Sequence, residues 1–318
     1  MIGNLIFASC LSFFLMLRVS SYNCKSLKRN IGGIAQVCDV SDVVFLQEHW
    51  LFPSDIPMLN NVHQNFMSFG ISSIDPSDRI LLGRPFGGVA VLWRDTLAQC
   101  VKPLSFDDDR IVGLECLIND LKILLLGVYL PHDTGQNFDQ YVYYLAKLKS
   151  IVDEFESPHV CILGDFNADT YKQTEFGREL QSFCRNANLK IADVLLLPPD
   201  SVTHTNDGSN TESWIDHVVC TEGFYPLIDD VGIDLTTISS DHFPLYLKLK
   251  SSISNCPKLH KEAEVDSRWV VDWSSIDNAC IDDFVQAVRV KLAEVNVPYD
   301  VLHCRTRNCL VHNDAINA

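Results

Sequence analysis

Several short apolar runs in this chain end in side chains that can bind metal or phosphate. Asp42–Gln47 runs into Glu48, His159–Gly164 runs into Asp165 with Asn167 two positions on, and Leu121–Val128 runs into Tyr129. At Asp216 and at Ser240, Asp241 and His242 the order reverses, with the polar groups first and the apolar run after. If the last two strands run antiparallel to the first three, all five polar ends meet at one edge of a sheet. A rim of carboxylates, Asn, Tyr and His is the composition of a hydrolytic metal site.

The residue types carry their own chemistry, and each has an ordinary alternative. A hard cation such as Mg²⁺ takes oxygen ligands and keeps several waters, so one or two carboxylates suffice, and Glu48 ends the second strand directly. An acid in that place is also a common surface group. Asp216 beside His242 would fix the imidazole tautomer and favour its protonated form. An extended Asp165, Phe166 and Asn167 would turn both polar side chains one way and Phe166 to the core. Asn23 also suits a plain turn at a strand end. His49, His132 and His217 are expected to face solvent or to be satisfied in the core.

These groups need strands to hold them. Residues 17–23 read as a first strand, and Ile31, Ile34, Ala35 and Cys38 recur at helical spacing over 28–38, ahead of a strand at 42–47. Phe86–Trp93 reads as a glycine-led strand, and 110–118 with 121–130 as a hairpin turning at Asn119 and Asp120. Helical periodicity covers 136–156, with Tyr141, Leu145, Leu148 and Val152 on one face, and a second helix over 174–187 buries Leu180, Phe183 and Cys184. No glycine-rich dinucleotide loop accompanies this alternation, so a two-sheet α/β sandwich is expected rather than a doubly wound parallel sheet. Three segments result: an apolar extension 1–16, a domain 17–250, and a linker and partly helical tail 251–318 with one helical stretch, Ile281–Val295.

The chain has 318 residues, 47% hydrophobic and 21% charged, as a globular protein does. Its net charge of −16 argues against a broad basic footprint for nucleic acid and leaves only a local basic groove. Twelve cysteines are scattered, and Cys116, Cys161 and Cys220 sit in apolar runs as small hydrophobes, which implies a reduced, intracellular chain. The first residues resemble a signal-peptide core, yet no Lys or Arg precedes it and cleavage would fall against the first strand. A signal peptide and an upstream extension or wrong start both stay open. Cys304, Cys309 and His312 have zinc-ligand types, but closed zinc geometry needs a fourth ligand, such as His303. An unstructured tail is the alternative.

On these residues the chain resembles the endonuclease/exonuclease/phosphatase superfamily, and more closely the apurinic-like endonuclease domain of non-LTR (LINE-type) retrotransposons. The matching pieces are Ser21–Asn23, Leu46–Leu51, Gly87–Val91, Tyr129–Pro131, Gly164–Asn167, Ser213–His217 and Ser240–His242, in family order over roughly 17–250. The resemblance implies a four-layer α/β sandwich, two mixed β-sheets packed face to face with flanking helices, and a site at the strand ends. It makes Glu48 the main ligand of Mg²⁺, with Mn²⁺ also acceptable, and lets Asn23 and Asp241 complete the metal or phosphate shell. It gives Asp165 the attacking water, Asn167 and Tyr129 contacts to phosphate, and His242 with Asp216 the scissile phosphate or a proton transfer. Thr203, 13 residues before Asp216, matches a phosphate-contacting Thr, with His204 and Thr205 as alternatives, and Ser240 would contact phosphate or orient its neighbours.

Two departures stand out. Repair enzymes place an acidic residue two positions after the first-strand Asn, where this chain has Lys25, and the segment after Pro131 lacks their Arg. Both weaken abasic-site repair more than general nicking. The implied function is a metal-dependent phosphodiesterase, a DNA-nicking endonuclease derived from a non-LTR retrotransposon. Its rivals are an inositol-phosphate phosphatase, sphingomyelinase or deadenylase on the same fold, or an inactive remnant, since no reverse transcriptase follows. DNA is the expected partner, no stable protein partner is implied, and no membrane unless the N-terminal segment is a real signal. The expected location is intracellular and nuclear, with secretion through that segment the alternative.

Overall fold

The computed structural model describes residues 16–74, 85–206, 208, 210–252 and Gln286. The chain divides into two units, Met1–Leu259 and His260–Ala318, and all described residues but Gln286 lie in the first. The expected helix Ile281–Val295, the Cys304, Cys309 and His312 set and the extension up to residue 15 lie outside the described residues.

Along the chain run β1 (Met16–Asn23), α1 (Leu27–Asp39), β2 (Val43–Gln47), β3 (Phe66–Ile71) and β4 (Val89–Arg94). Then come β5 (Val101–Ser105), β6 (Ile111–Ile118), β7 (Leu121–Tyr129), α2 (Phe138–Glu154), β8 (Val160–Asp165) and α3 (Glu175–Asn186). The last are β9 (Leu189–Ile191), α4 (Ala192–Leu196), β10 (His204–Asn206), β11 (Thr211–Ser213), β12 (Asp216–Thr221), β13 (Ile228–Ile233) and β14 (Leu245–Ser252). Two six-stranded sheets form, ordered β13-β14-β1-β2-β4-β3 and β5-β6-β7-β8-β12-β9, with β10 and β11 as a separate hairpin. Each large sheet is mixed, holding one parallel pair, β1 with β2 and β7 with β8.

The continuous apolar runs follow from this layering. In β2, Val43 and Phe45 point between the sheets, while Val44 and Leu46 point outward to the Ile34, Val37 and Cys38 face of α1. In β8, Cys161 and Leu163 face the other sheet, while Val160 and Ile162 lie under α2 and α3. Covered on both faces, such strands have no polar alternation to show. Tyr141 of α2 stacks on Phe176 of α3 with centroids 4.0 Å apart, and the Thr174 hydroxyl caps α3 by accepting from Gly177 N–H at 3.1 Å. The expected four-layer α/β sandwich is the architecture that forms.

Two expectations need correcting. The polar strand ends belong to two sheets, not one: β2 lies in the first, and β7, β8 and β12 in the second. The glycine-led strand begins at Val89 rather than Phe86, because Gly87 and Gly88 take φ of +63° and +86°, outside the strand range. Of the described cysteines, Cys24, Cys38, Cys116, Cys161, Cys184 and Cys220 are free and buried, with Cys116, Cys161 and Cys220 in apolar strands as expected. The β6–β7 hairpin turns at Asn119 and Asp120 with φ of +49° and +65°, as its two-residue loop requires. Among the described residues no helix is long and apolar enough to cross a membrane.

Candidate active site

Strand register assembles the site. The parallel pairing of β1 with β2 sets Asn23 against Gln47 and so beside Glu48. The parallel pairing of β7 with β8 sets Tyr129 against Asp165, and β12, antiparallel to β8, sets Asp216 against Asp165 from the other side. In the turn before β14, Ser240 Oγ donates to Asn23 O at 2.9 Å, which brings Asp241 and His242 to the same rim.

Asn23 is buried and joins the two sheets. Its Nδ2 donates to Glu48 Oε1 at 3.1 Å and to Asp165 Oδ2 at 2.9 Å. Glu48 is held at a left-handed φ of +53°, with Oε2 accepting from the Trp50 indole N–H at 3.0 Å, and Trp50 itself sits at φ +58°. Two non-glycine residues in this conformation within three positions mark a backbone that the surroundings over-determine, as active sites often do.

Behind them His242 Nδ1 donates to Asp216 Oδ2 at 2.9 Å, and its Nε2 lies 3.8 Å from Asp165 Oδ2. Burial opposes a charge on His242, but the Asp216 charge and hydrogen bond, with Asp165 and Asp241 adding to them, raise its pKa to about 9. Burial, reinforced by Asp216 and opposed by His242, raises the Asp165 carboxyl above the ordinary carboxylate range. Burial, then the charges of Glu48 and Asp165, push the Tyr129 phenol far up, so it remains a donor.

The other expected residues are placed less simply. Asn167 is not extended: at φ +50° its N–H donates back to Asp165 Oδ1 at 2.9 Å and its Nδ2 donates to Leu130 O at 2.9 Å. The strand stops at Asp165 in an Asx-type turn, while Phe166 is buried as expected. Thr203, expected as a phosphate contact, is buried, and its Oγ1 accepts from Ile215 and Asp216 N–H, both at 3.1 Å. It fixes the start of β12. Ser240 Oγ also donates to Asp241 Oδ1 at 3.3 Å and accepts from His242 N–H at 3.3 Å, so it ties the turn to β1. Asp241 accepts from Lys25 Nζ, and His204 Nε2 is 3.7 Å away. Burial would raise its carboxyl, but the nearby His204 and the Lys25 ammonium outweigh burial and hold it well below the usual range.

His132 is exposed. His217 is buried between Asp193 Oδ2 at 2.7 Å and Ala168 O at 2.7 Å, and Asp193 raises its pKa against burial. His49 is likewise satisfied in the core, through Ile71 O and Leu51 N–H. Sequence reasoning did not give Trp50 a role, although it falls within the matched Leu46–Leu51 piece, and it offered His204 only as an alternative to Thr203, whereas the His204 ring lies 4.6 Å from that of His242. Lys25 and Arg29 line an open cavity of about 630 Å³ beside the rim, with Trp50, Ser240 and Asp241. With Lys25 paired to Asp241, Arg29 is the cation left over in its lining, in a chain of net charge −16.

The donor set fits a hard divalent cation. Glu48 supplies a carboxylate and Asn23 an amide beside it, and His242 gives its Nδ1 to Asp216 rather than standing free as a nitrogen ligand. Asn23 through its Oδ1, with Glu48, would hold such an ion. Asp165 and the His242 imidazolium then remain for the substrate and its water.

Comparison with known proteins gives the family and the fold. The sequence pattern of the endonuclease/exonuclease/phosphatase family matches residues 20–242. No curated protein matches the chain in sequence. Among solved structures, the endonuclease domain of TRAS1, a telomere-specific non-LTR retrotransposon, is 18% identical with a TM-score of 0.57, covering 76% of this chain and 100% of that one. A 3′ phosphatase, NExo, from Neisseria bound to product DNA hairpin is 17% identical with a TM-score of 0.55, covering 73% and 99%. The AP endonuclease LMAP from Leishmania major is 16% identical with a TM-score of 0.58, covering 74% and 87%. At such identities the likeness is one of fold.

Proposed function

The chain belongs to the endonuclease/exonuclease/phosphatase family, and within it we propose a divalent-metal-dependent phosphodiesterase that nicks DNA. One observation carries this reading: Asn23 bridges Glu48 and Asp165 at the rim where the Asp216–His242 pair also ends. The ion is Mg²⁺, with Mn²⁺ as a substitute, and when bound it supplies Lewis-acid polarisation of the phosphate. Asp165, its pKa raised by burial, is suited to orient and deprotonate a water for in-line attack. His242, held cationic by Asp216, points Nε2 toward the phosphate side and offsets the charge that develops there. Tyr129 offers its phenol hydrogen to the same phosphate.

DNA as substrate is supported by the TRAS1, NExo and LMAP relatives and by the Lys25 and Arg29 cavity beside the rim. A retrotransposon origin is the finer part of the proposal, supported by the resemblance of the Gln47–Leu51 piece to that branch and by the TRAS1 domain. We place the enzyme in the nucleus on the same basis. The test is relaxation of supercoiled plasmid by the purified protein with Mg²⁺, Mn²⁺ or EDTA, beside sphingomyelin and an inositol polyphosphate. Metal-dependent nicking, lost in Glu48→Gln, is expected. Turnover of a small substrate with the plasmid left intact would overturn DNA as the target, and full relaxation by Glu48→Gln would remove Glu48 from the metal site.

A further inference from the structure

His204, Asp241 and His242 each bring a ligand atom within 4.8 Å of one another, the makings of a cation position apart from Glu48. That position is already filled. Lys25 Nζ donates to Asp241 Oδ2 and forms a partly buried ion pair with it. The second oxygen, Oδ1, accepts from Ser240 Oγ at 3.3 Å. The nearer ring nitrogen of His204 lies 3.7 Å from Oδ2, and its Nδ1 is taken by Ser213 Oγ at 2.9 Å. We propose that the Lys25 ammonium is the resident cation at Asp241, so that this chain takes one divalent ion, at Asn23 and Glu48, and none between Asp241 and His204. This rests on the metal reading above and refines it.

Charge and position both favour it. Glu48, Asp165, Asp216 and Asp241 face Lys25 and the His242 imidazolium, which leaves two negative charges when Asp165 is ionised. One divalent ion cancels them. A second would leave uncompensated positive charge beside the buried Asp165, Asp216 and His242, where it is expensive. Mg²⁺ also dehydrates reluctantly, whereas a tethered ammonium brings three donors without shedding a full hydration shell. The backbone aims Lys25 at this task. It sits at φ +40°, followed by Ser26 at φ +94°, and its N–H donates to Asn23 Oδ1 at 3.3 Å. The residue that fills the Asp241 position is therefore anchored on the residue that joins the carboxylates.

The experiment is a count of bound Mn²⁺, read from the free-ion electron paramagnetic resonance signal as the full-length protein is titrated with Mn²⁺ alone. Wild type and Lys25→Arg should bind one ion per chain. Lys25→Met should bind one more than wild type, and adding Asp241→Asn to it should return the count to the wild-type value. Lys25→Gln serves in place of Lys25→Met should the latter fail to fold, judged by thermal melting. Loss of the wild-type ion in Glu48→Gln assigns that ion to Glu48. Equal counts in wild type and the folded neutral variants would overturn the role of Lys25 while leaving the Glu48 site intact. No ion on wild type with one on Lys25→Met would uphold Lys25 and remove the Glu48 reading. Two ions on wild type would also overturn the inference.

Discussion

Asn23 Nδ2 and Asp165 Oδ2 are 2.9 Å apart, although 142 positions separate them in the chain, and this bond joins the two sheets at the site edge. The same Nδ2 reaches Glu48, so one amide holds two carboxylates, one from each sheet. Asn23→Ala deletes both donors and leaves the carboxylates to repel. Loss of one such preorganised donor costs about 10²–10³ in rate in related settings. Nicking by Asn23→Ala should fall by at least about 10²-fold with an unchanged circular dichroism spectrum. Wild-type rates in that variant would reduce the bridge to a packing detail.

His242 and Asp216 act as one unit, so their losses should not add. Each alanine variant should lose about 10²-fold or more, and the double variant should be little worse than the worse single one. Their pH behaviour follows from the raised pKa of about 9 on His242. The imidazolium is the working form, so activity should decline as pH rises past about 9. Asp216→Asn removes the main charge that raises this pKa and should move the alkaline decline to lower pH. An alkaline limb that stays in place in Asp216→Asn would mean that another group controls it.

Glu48, Asp165 and Tyr129 could be read from the sequence because each directly ends a strand whose apolar run is long enough to stand out. Strand register then does the rest, as the Tyr129–Asp165 and Asp216–Asp165 pairings do. Which sheet each strand joins is not written there. The runs at 42–47 and 159–164 are apolar on both faces, and a doubly covered strand looks the same in either sheet. Asn167 escaped because its backbone is set by its own hydrogen bond to Asp165, a local competition that extended geometry does not foresee. Lys25 was visible only as a departure from a pattern. Its partner Asp241 lies 216 positions away and is supplied by the fold alone.

Thr203 should matter for stability first. Its hydroxyl oxygen serves two backbone N–H groups, those of Ile215 and Asp216, in a fully buried place. Thr203→Val keeps the shape and leaves both donors unpaired, at a cost of about 1–3 kcal/mol. Thr203→Ser retains the oxygen and should recover most of that loss. Urea midpoints for the three proteins decide the matter. A valine variant as stable as wild type would show that water or a shifted backbone takes up the two donors.

Acid should destabilise the fold through His49. Its ring is buried with Nδ1 accepting from Leu51 N–H at 3.0 Å and Nε2 donating to Ile71 O at 2.9 Å. Gly88, at φ +86°, lies against the ring, where a Cβ would come within 2.4 Å of Cε1. Burial lowers the pKa of His49 from the ordinary 6.5 to about 4, against the pull of its backbone hydrogen bonds. Between these two values the unfolded chain holds a proton that the native chain refuses. Stability therefore falls as pH drops from about 6.5 to about 4 and levels off below that. At about 1.4 kcal/mol per pKa unit the loss is on the order of 3–4 kcal/mol. His49→Gln should be less stable than wild type at about pH 7 but should lose less between about pH 7 and about pH 5. Urea unfolding of both proteins at the two pH values measures the difference, and parallel losses would take His49 out of the acid response.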